Sequence, residues 1–137
     1  MSEFILKDFS ANEHFEEVSS WWKFWRWNVH PTPQILSDIG YIVEKDGLNL
    51  CAGWLYTTNS CIASMEFLIG NPFADRETRS DALDFLIECL GQRCLKEGKI
   101  SFMTNIKNPA LAKRLKRLGF IAGDTELKQF IRIKWPQ

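Results

Sequence analysis

The order of apolar runs and turn signals predicts an α/β protein: a mixed, mostly antiparallel central sheet of about seven strands flanked by helices, in one domain over residues 1–137. Three observations carry this. Apolar runs in the first half are separated by loops so short that the strands must be antiparallel neighbours. Helical periodicity in the second half alternates with short strands, the pattern of a crossover onto a sheet. No repeat, linker or low-complexity tract divides the chain.

Phe4-Ile5-Leu6 reads as a first strand, and Asn12 then opens a helix. Glu13, Glu16 and Glu17 occupy its first turns, where acidic groups complement the helix dipole. Phe15, Val18, Trp22 and Trp25 follow the i, i+3, i+4 rhythm of a buried face, with Trp21 beside them. His30-Pro31-Thr32-Pro33 ends the helix, and a helical turn fits Gln34–Ser37. Tyr41-Ile42-Val43, Leu50–Tyr56 and Cys61–Ile69 form a meander, with turns at Lys45-Asp46-Gly47 and Thr57–Ser60. Gly70-Asn71-Pro72 breaks it.

From Arg76 to Glu97 the period becomes helical, with Leu83, Leu86, Ile87, Leu90 and Cys94 as its apolar stripe and Gly98 past its end. Ile100–Met103 is a strand. The next helix is punctuated by Asn108 as N-cap, Pro109 at its first position and Gly119 as its stop. Phe120-Ile121 and Gln129–Ile133 are expected to close the chain as a hairpin. A right-handed parallel crossover should run from strand 61–69 through helix 76–97 to strand 100–103. The loop entering that helix is the expected ligand site, because a helix N-terminus points main-chain N–H groups outward.

Composition bounds the chemistry. The 137 residues are 45% hydrophobic and 25% charged, which is ordinary for a globular chain and excludes disorder and collagen-like architectures. No stretch approaches the roughly 20 apolar residues of a membrane span. The start, Met-Ser-Glu-Phe-Ile-Leu-Lys-Asp, is too short and too acidic for a signal peptide, so a cytoplasmic protein is expected. The 17 basic and 17 acidic residues cancel. Yet residues 1–60 hold four basic and eight acidic groups, net −4, and residues 61–137 are net +4. A chain-wide basic field for nucleic acid is absent, whereas an anion site in the second half is allowed. Cys51, Cys61, Cys89 and Cys94 form no Cys-x-x-Cys pair and only His14 and His30 accompany them, which argues against a metal. The thiols read as reduced core residues.

The motifs then add up to a resemblance. Asn108-Pro-Ala-Leu-Ala-Lys-Arg-Leu-Lys-Arg-Leu-Gly-Phe120 is similar to the Asn-x-x-Ala-x-x-Leu-Tyr-x-x-x-Gly-Phe pattern of the GNAT superfamily of N-acetyltransferases. The strand, loop and Arg-rich helix start over Met65–Ala82 also resemble that family, and the element order matches along essentially the whole chain. Trp21-Trp22, Ala52–Tyr56, Asn59-Ser60 and Asn71-Pro72 resemble signatures of short members, many of them phage-encoded.

The resemblance implies an acyl-CoA co-substrate, acetyl-CoA above all, no metal, and a small amine or protein amine as acceptor; a homodimer is allowed. It assigns the thioester carbonyl to the main chain of Phe67, Leu68 and Ile69, and the pyrophosphate to Arg76, Thr78, Arg79, Ser80 and Asp81. Asn108 matches the asparagine that meets the pantetheine arm, and Asn105 is grouped with it. There are departures. The phosphate-loop glycines are absent, Asp81 adds a negative charge, and Leu115 stands where the family has its proton-donating tyrosine.

Aminolysis of a thioester needs a neutral amine, so a carboxylate must accept the ammonium proton. Glu66, between Met65 and Phe67, is the local candidate; a structural or solvent-facing glutamate is the other reading. Trp54 and Tyr56 share its side-chain phase on the neighbouring strand and are assigned, with Trp21, to an acceptor pocket. As core aromatics they would need no ligand. Trp22 and Trp25 are expected to face the sheet, with Trp21 and Trp27 over an acceptor groove or partner surface. The run Lys107, Lys113, Arg114, Lys116 and Arg117 reads first as a solvated helix face, and no aromatics interleave it for nucleic acid. Two function classes therefore stand: an acyl-CoA-dependent N-acyltransferase, and a binding or structural protein of the same fold without the reaction.

Overall fold

A computed structural model describes residues 3–124 and 126–130. Two compact units divide the chain, residues 1–105 and residues 106–137. In the first, five strands form one sheet in the order β1-β2-β3-β4-β5. These are β1 (Ile5–Asp8), β2 (Ile39–Lys45), β3 (Leu48–Thr57), β4 (Ile62–Gly70) and β5 (Ser101–Met103). The pairings of β1 with β2, β2 with β3 and β3 with β4 are antiparallel, whereas β4 and β5 run parallel, as the crossover requires. The β2–β3 hairpin turns at Asp46 and Gly47, both at positive φ, the geometry a two-residue hairpin turn demands.

Helix α1 (Ala11–Phe24) covers one face. Its buried Val18, Trp21 and Trp22 pack with Ile42, Ala52, Trp54 and Ile69. Helix α2 (Arg76–Lys96) covers the other, where Leu86 and Leu90 close on Gly53 so tightly that a Cβ there would lie 3.3 Å from a methyl of each. Alternation along β3 explains the division: Ala52 and Trp54 point to α1, and Gly53 between them points to α2.

The expectations for α1 are corrected in detail. Ser10, not Asn12, precedes the helix, and its own amide donates to His14 Nδ1 at 2.9 Å. Trp21 is in the core at 1% exposure, while Trp25, expected to face the sheet, is 43% exposed. Trp25 follows the last helical residue, where the chain leaves the 3.6-residue rhythm, and its indole N–H donates to the Gly70 carbonyl at 2.9 Å. The helical turn after it is a 3₁₀ turn over Pro33–Ile35. Within α2, Ala82 is buried and Leu83 only half-buried.

In the second unit, α3 (Pro109–Arg117) is capped by Asn108, whose side chain accepts the Ala110 amide at 2.8 Å. Leu115 is its buried residue, and Gly119 takes the positive φ of a helix stop. The strand count falls short of seven among the described residues. Phe120-Ile121 is not a strand, nor are Gln129 and Phe130, and residues 131–133 lie outside the described residues. Ile121 and Phe130 are 94% and 90% exposed.

Candidate active site

Strand β4 is where the sheet departs from regularity. Its register against β3 pairs Ala52 with Ile69 and Trp54 with Glu66, so Phe67 and Leu68 together face the single residue Gly53. This is a β-bulge, a device that locally disrupts the ladder and re-aims side chains. Phe67 adopts φ of 60°, in the left-handed region. For a residue with a Cβ that costs about 1–2 kcal/mol.

A second irregularity lies along the other edge of β4. Pairing with β5 covers only Ile62 to Ser64. The Thr104 hydroxyl donates to the Met65 carbonyl at 2.7 Å, beyond the last residue of β5. No described strand pairs with that edge from Glu66 to Gly70. Beyond Met65 that edge of β4 therefore lies outside any described ladder.

Glu66 stands at the point of divergence. Side chains alternate along β4, with Ala63 and Met65 buried on one face and Ser64 and Glu66 half-buried on the other. Burial raises the Glu66 pKa above the ordinary carboxylate value, and a hydrogen bond with the Ser64 side chain partly opposes this. Tyr56, the partner of Ser64 across the ladder, lies at a ring-centroid distance of 6.0 Å from Phe67 in a T-shaped contact. Its hydroxyl donates to the Ile35 carbonyl at 2.7 Å, closing the 33–37 segment over this end of the sheet. Burial pushes the Tyr56 phenol up to about 12; the negative charge of Glu66 adds to the rise, and a hydrogen bond to the Ser37 main chain opposes it.

The sequence-assigned residues divide accordingly. Glu66, Tyr56, Phe67 and Leu68 come together around the bulge, and the Ile69 side chain is buried in the core. Trp54 and Trp21 are corrected from acceptor-pocket residues to core. Trp54 is wholly buried, its ring centroid 5.0 Å from Phe9 and 5.7 Å from Trp22. Arg76 is the exposed first residue of α2. Thr78 is already engaged, its amide and its hydroxyl each 3.0 Å from the Asp75 carboxylate, which caps the helix. Those hydrogen bonds hold Asp75 below the usual carboxylate range. Arg79 turns inward, Nη1 donating to the Asn71 and Ala74 carbonyls. Ser80 and Asp81 lie in the second turn of α2, where amides bond within the helix. Asn105 is exposed at the end of the first unit, and Asn108 caps α3 in the second.

Some residues of this region were missed by sequence reasoning. Asn71 is buried and fully used, donating through Nδ2 to the Asn49 carbonyl and accepting the Phe73 amide. Asp75 was legible, since Asp three residues before Thr at the start of an apolar-periodic run is a capping signal. The positive φ of Phe67 gave no signal, as glycine is the residue expected there. A separate open cavity of about 370 Å³ lies between β1 and α2, lined by Leu6, Tyr41, Phe85, Cys89, Arg93 and Lys96 among others. It is formed without Glu66 or the bulge.

No protein-family model matches the sequence, and no curated protein matches it either. Solved structures do. A GNAT-family acetyltransferase from Streptococcus pneumoniae is 15% identical with a TM-score of 0.65, over 98% of each chain. An acetyltransferase from Trypanosoma brucei is 11% identical with a TM-score of 0.66, over 94% of this chain and 100% of that one. N-acetylglutamate synthase from Neisseria gonorrhoeae, solved with coenzyme A and L-arginine, is 14% identical with a TM-score of 0.73. The match covers 94% of this chain but only 30% of the synthase. This chain therefore has the fold of the GNAT acetyltransferases.

Proposed function

We propose that the protein transfers an acyl group from an acyl-CoA, acetyl-CoA above all, to a primary amine, with Glu66 as general base. The observation that carries this is the half-buried Glu66 carboxylate at the point where β4 bulges and parts from β5. The neighbouring synthase was solved with coenzyme A, which supports the same donor here. An acyl-CoA supplies an activated thioester. The chain's own groups then have two tasks. Glu66 accepts the proton of the incoming ammonium, leaving a neutral amine to attack. Main-chain N–H groups at the bulge, around Phe67 and Leu68, stabilise negative charge growing on the thioester oxygen. As the C–N bond is completed the C–S bond breaks, and CoA leaves as a thiolate that takes its proton from water. The acidic first half of the sequence favours a cationic acceptor.

A second reading, a binding protein of this fold that performs no transfer, is favoured by one specific observation. The α2 N-terminus is occupied by the chain's own Asp75, where a diphosphate needs open amides. Leu115, at the position of the family tyrosine, points the same way. The test is thermal unfolding with excess acetyl-CoA, followed by release of free thiol in the presence of a panel of primary amines. A ligand at 100 times its Kd stabilises by about 2.7 kcal/mol, a shift of several degrees. A shift with amine-dependent thiol release supports transfer; a shift without it favours the binding protein. No shift overturns the acyltransferase and leaves the second reading.

A further inference from the structure

We infer that Arg79 is a positioning residue, an internal brace that holds the β4–α2 loop in shape before any ligand arrives, and does not itself bind the phosphates. The inference rests on the proposed use of this loop for acyl-CoA. Nη1 of Arg79 donates to two carbonyls of the loop, Asn71 at 3.1 Å and Ala74 at 3.2 Å. The side-chain stem crosses Gly70 so closely that a Cβ on residue 70 would lie 2.7 Å from Cδ of Arg79. The guanidinium also lies 5.6 Å from the Trp25 ring centre, within cation–π range. Trp25 in turn donates its indole N–H to the Gly70 carbonyl at 2.9 Å.

The loop is otherwise held by Asn71, whose amide donates to the Leu50 carbonyl and whose carbonyl accepts the Ala74 amide. Arg79 thus occupies the inside of the turn that leads into α2. Where the family pattern has glycine to shape its phosphate loop, this chain has a helix start whose preceding turn is shaped by an arginine. One Nη1 serves both carbonyls while the planar guanidinium lies by the indole, and the shorter, non-planar lysine side chain does not reproduce that placement.

The test compares Arg79→Gln, Arg79→Lys, Trp25→Phe and Arg76→Gln with the unaltered protein. Amide hydrogen exchange is measured without ligand at Asn71, Phe73 and Ala74, whose N–H groups are bonded within or beside the loop. Acetyl-CoA affinity is then measured at two salt concentrations. In both Arg79 variants the three amides should lose protection by roughly tenfold or more while α2 amides keep theirs. Trp25→Phe should give a smaller loss at the same amides. Affinity should fall in the Arg79 variants with its salt dependence retained, whereas Arg76→Gln should leave exchange untouched. If Arg79→Gln does not fold, Arg79→Lys carries the comparison. Unchanged protection at the three amides overturns the brace. Unchanged protection with a flattened salt dependence makes Arg79 a direct anion ligand instead. If the unaltered protein does not bind acetyl-CoA, the proposed function fails, and the exchange results still decide the brace.

Discussion

Replacing Glu66 by glutamine separates chemistry from structure at the proposed site. The side chain keeps its length and a polar group for Ser64, and the half-buried position no longer carries a charge. Loss of a general base typically costs 10²–10⁴ in rate, or about 3–5 kcal/mol of transition-state stabilisation. The kcat for acyl transfer should fall by that factor, with the KM for acetyl-CoA little changed. In the unaltered enzyme the rate should rise with pH as Glu66 loses its proton. Because burial raises its pKa, that rise should lie above the ordinary carboxylate range, and it should vanish in the variant. Stability moves the opposite way. A carboxyl whose pKa is raised on folding binds more protons in the native state, so its ionisation weakens the fold as pH climbs through the folded pKa. Glu66→Gln should therefore melt higher than the unaltered protein at pH 7 and show no such gain below the unfolded pKa. Steady-state kinetics from pH 4 to 9, with melting curves at the same pH values, measure both effects. An unchanged kcat, or a variant retaining the acidic limb, would refute Glu66 as the base.

Other substitutions test the scaffold. Gly53→Ala should destabilise by roughly 1–3 kcal/mol in denaturant titration, since the new methyl would lie 2.9 Å from Leu68 Cδ1 and press on Leu86 and Leu90. Leu90→Ala, at a wholly buried position of α2, should cost about 2–5 kcal/mol by the same measurement. Asn108→Ala removes the cap of α3 and should cost about 1 kcal/mol, read as lost amide protection in the first turn of that helix.

Much of the fold was legible because its signals are local. Hairpins announced themselves through Asp46-Gly47 and Asn59-Ser60, and α3 through Asn108, Pro109 and Gly119. Glu66 was legible too, from its place in an apolar strand. What escaped depends on tertiary contacts. Nothing in Trp21, Trp22 and Trp25 says which of three adjacent indoles will reach the core. The decision falls to the angle at which α1 meets β3 and β4. Arg79 read as a phosphate ligand because arginine at a helix start suits anions, yet the carbonyls of Asn71 and Ala74 claimed it first. The terminal hairpin was read from β-forming residues alone, and Phe120-Ile121 does not take a strand conformation.

Three locally unfavourable features of the first unit lie close to Glu66, and their placement is informative. Phe67 bears left-handed strain, and the indole N–H groups of Trp22 and Trp54 are buried with no hydrogen-bond partner among the described residues. An unmet buried donor costs about 1–3 kcal/mol. Trp54 pairs with Glu66 across the ladder, and Trp22 lies against Trp54 at 5.7 Å. The tryptophans thus form an apolar floor beside the carboxylate, and a low-dielectric surround is what lifts a carboxyl pKa toward values useful to a base. Local conflicts retained in a stable fold tend to mark functional or strained sites. On that argument the Trp cluster needs no contact with the acceptor: buried within the core, it acts on the candidate site by keeping water from one side of Glu66.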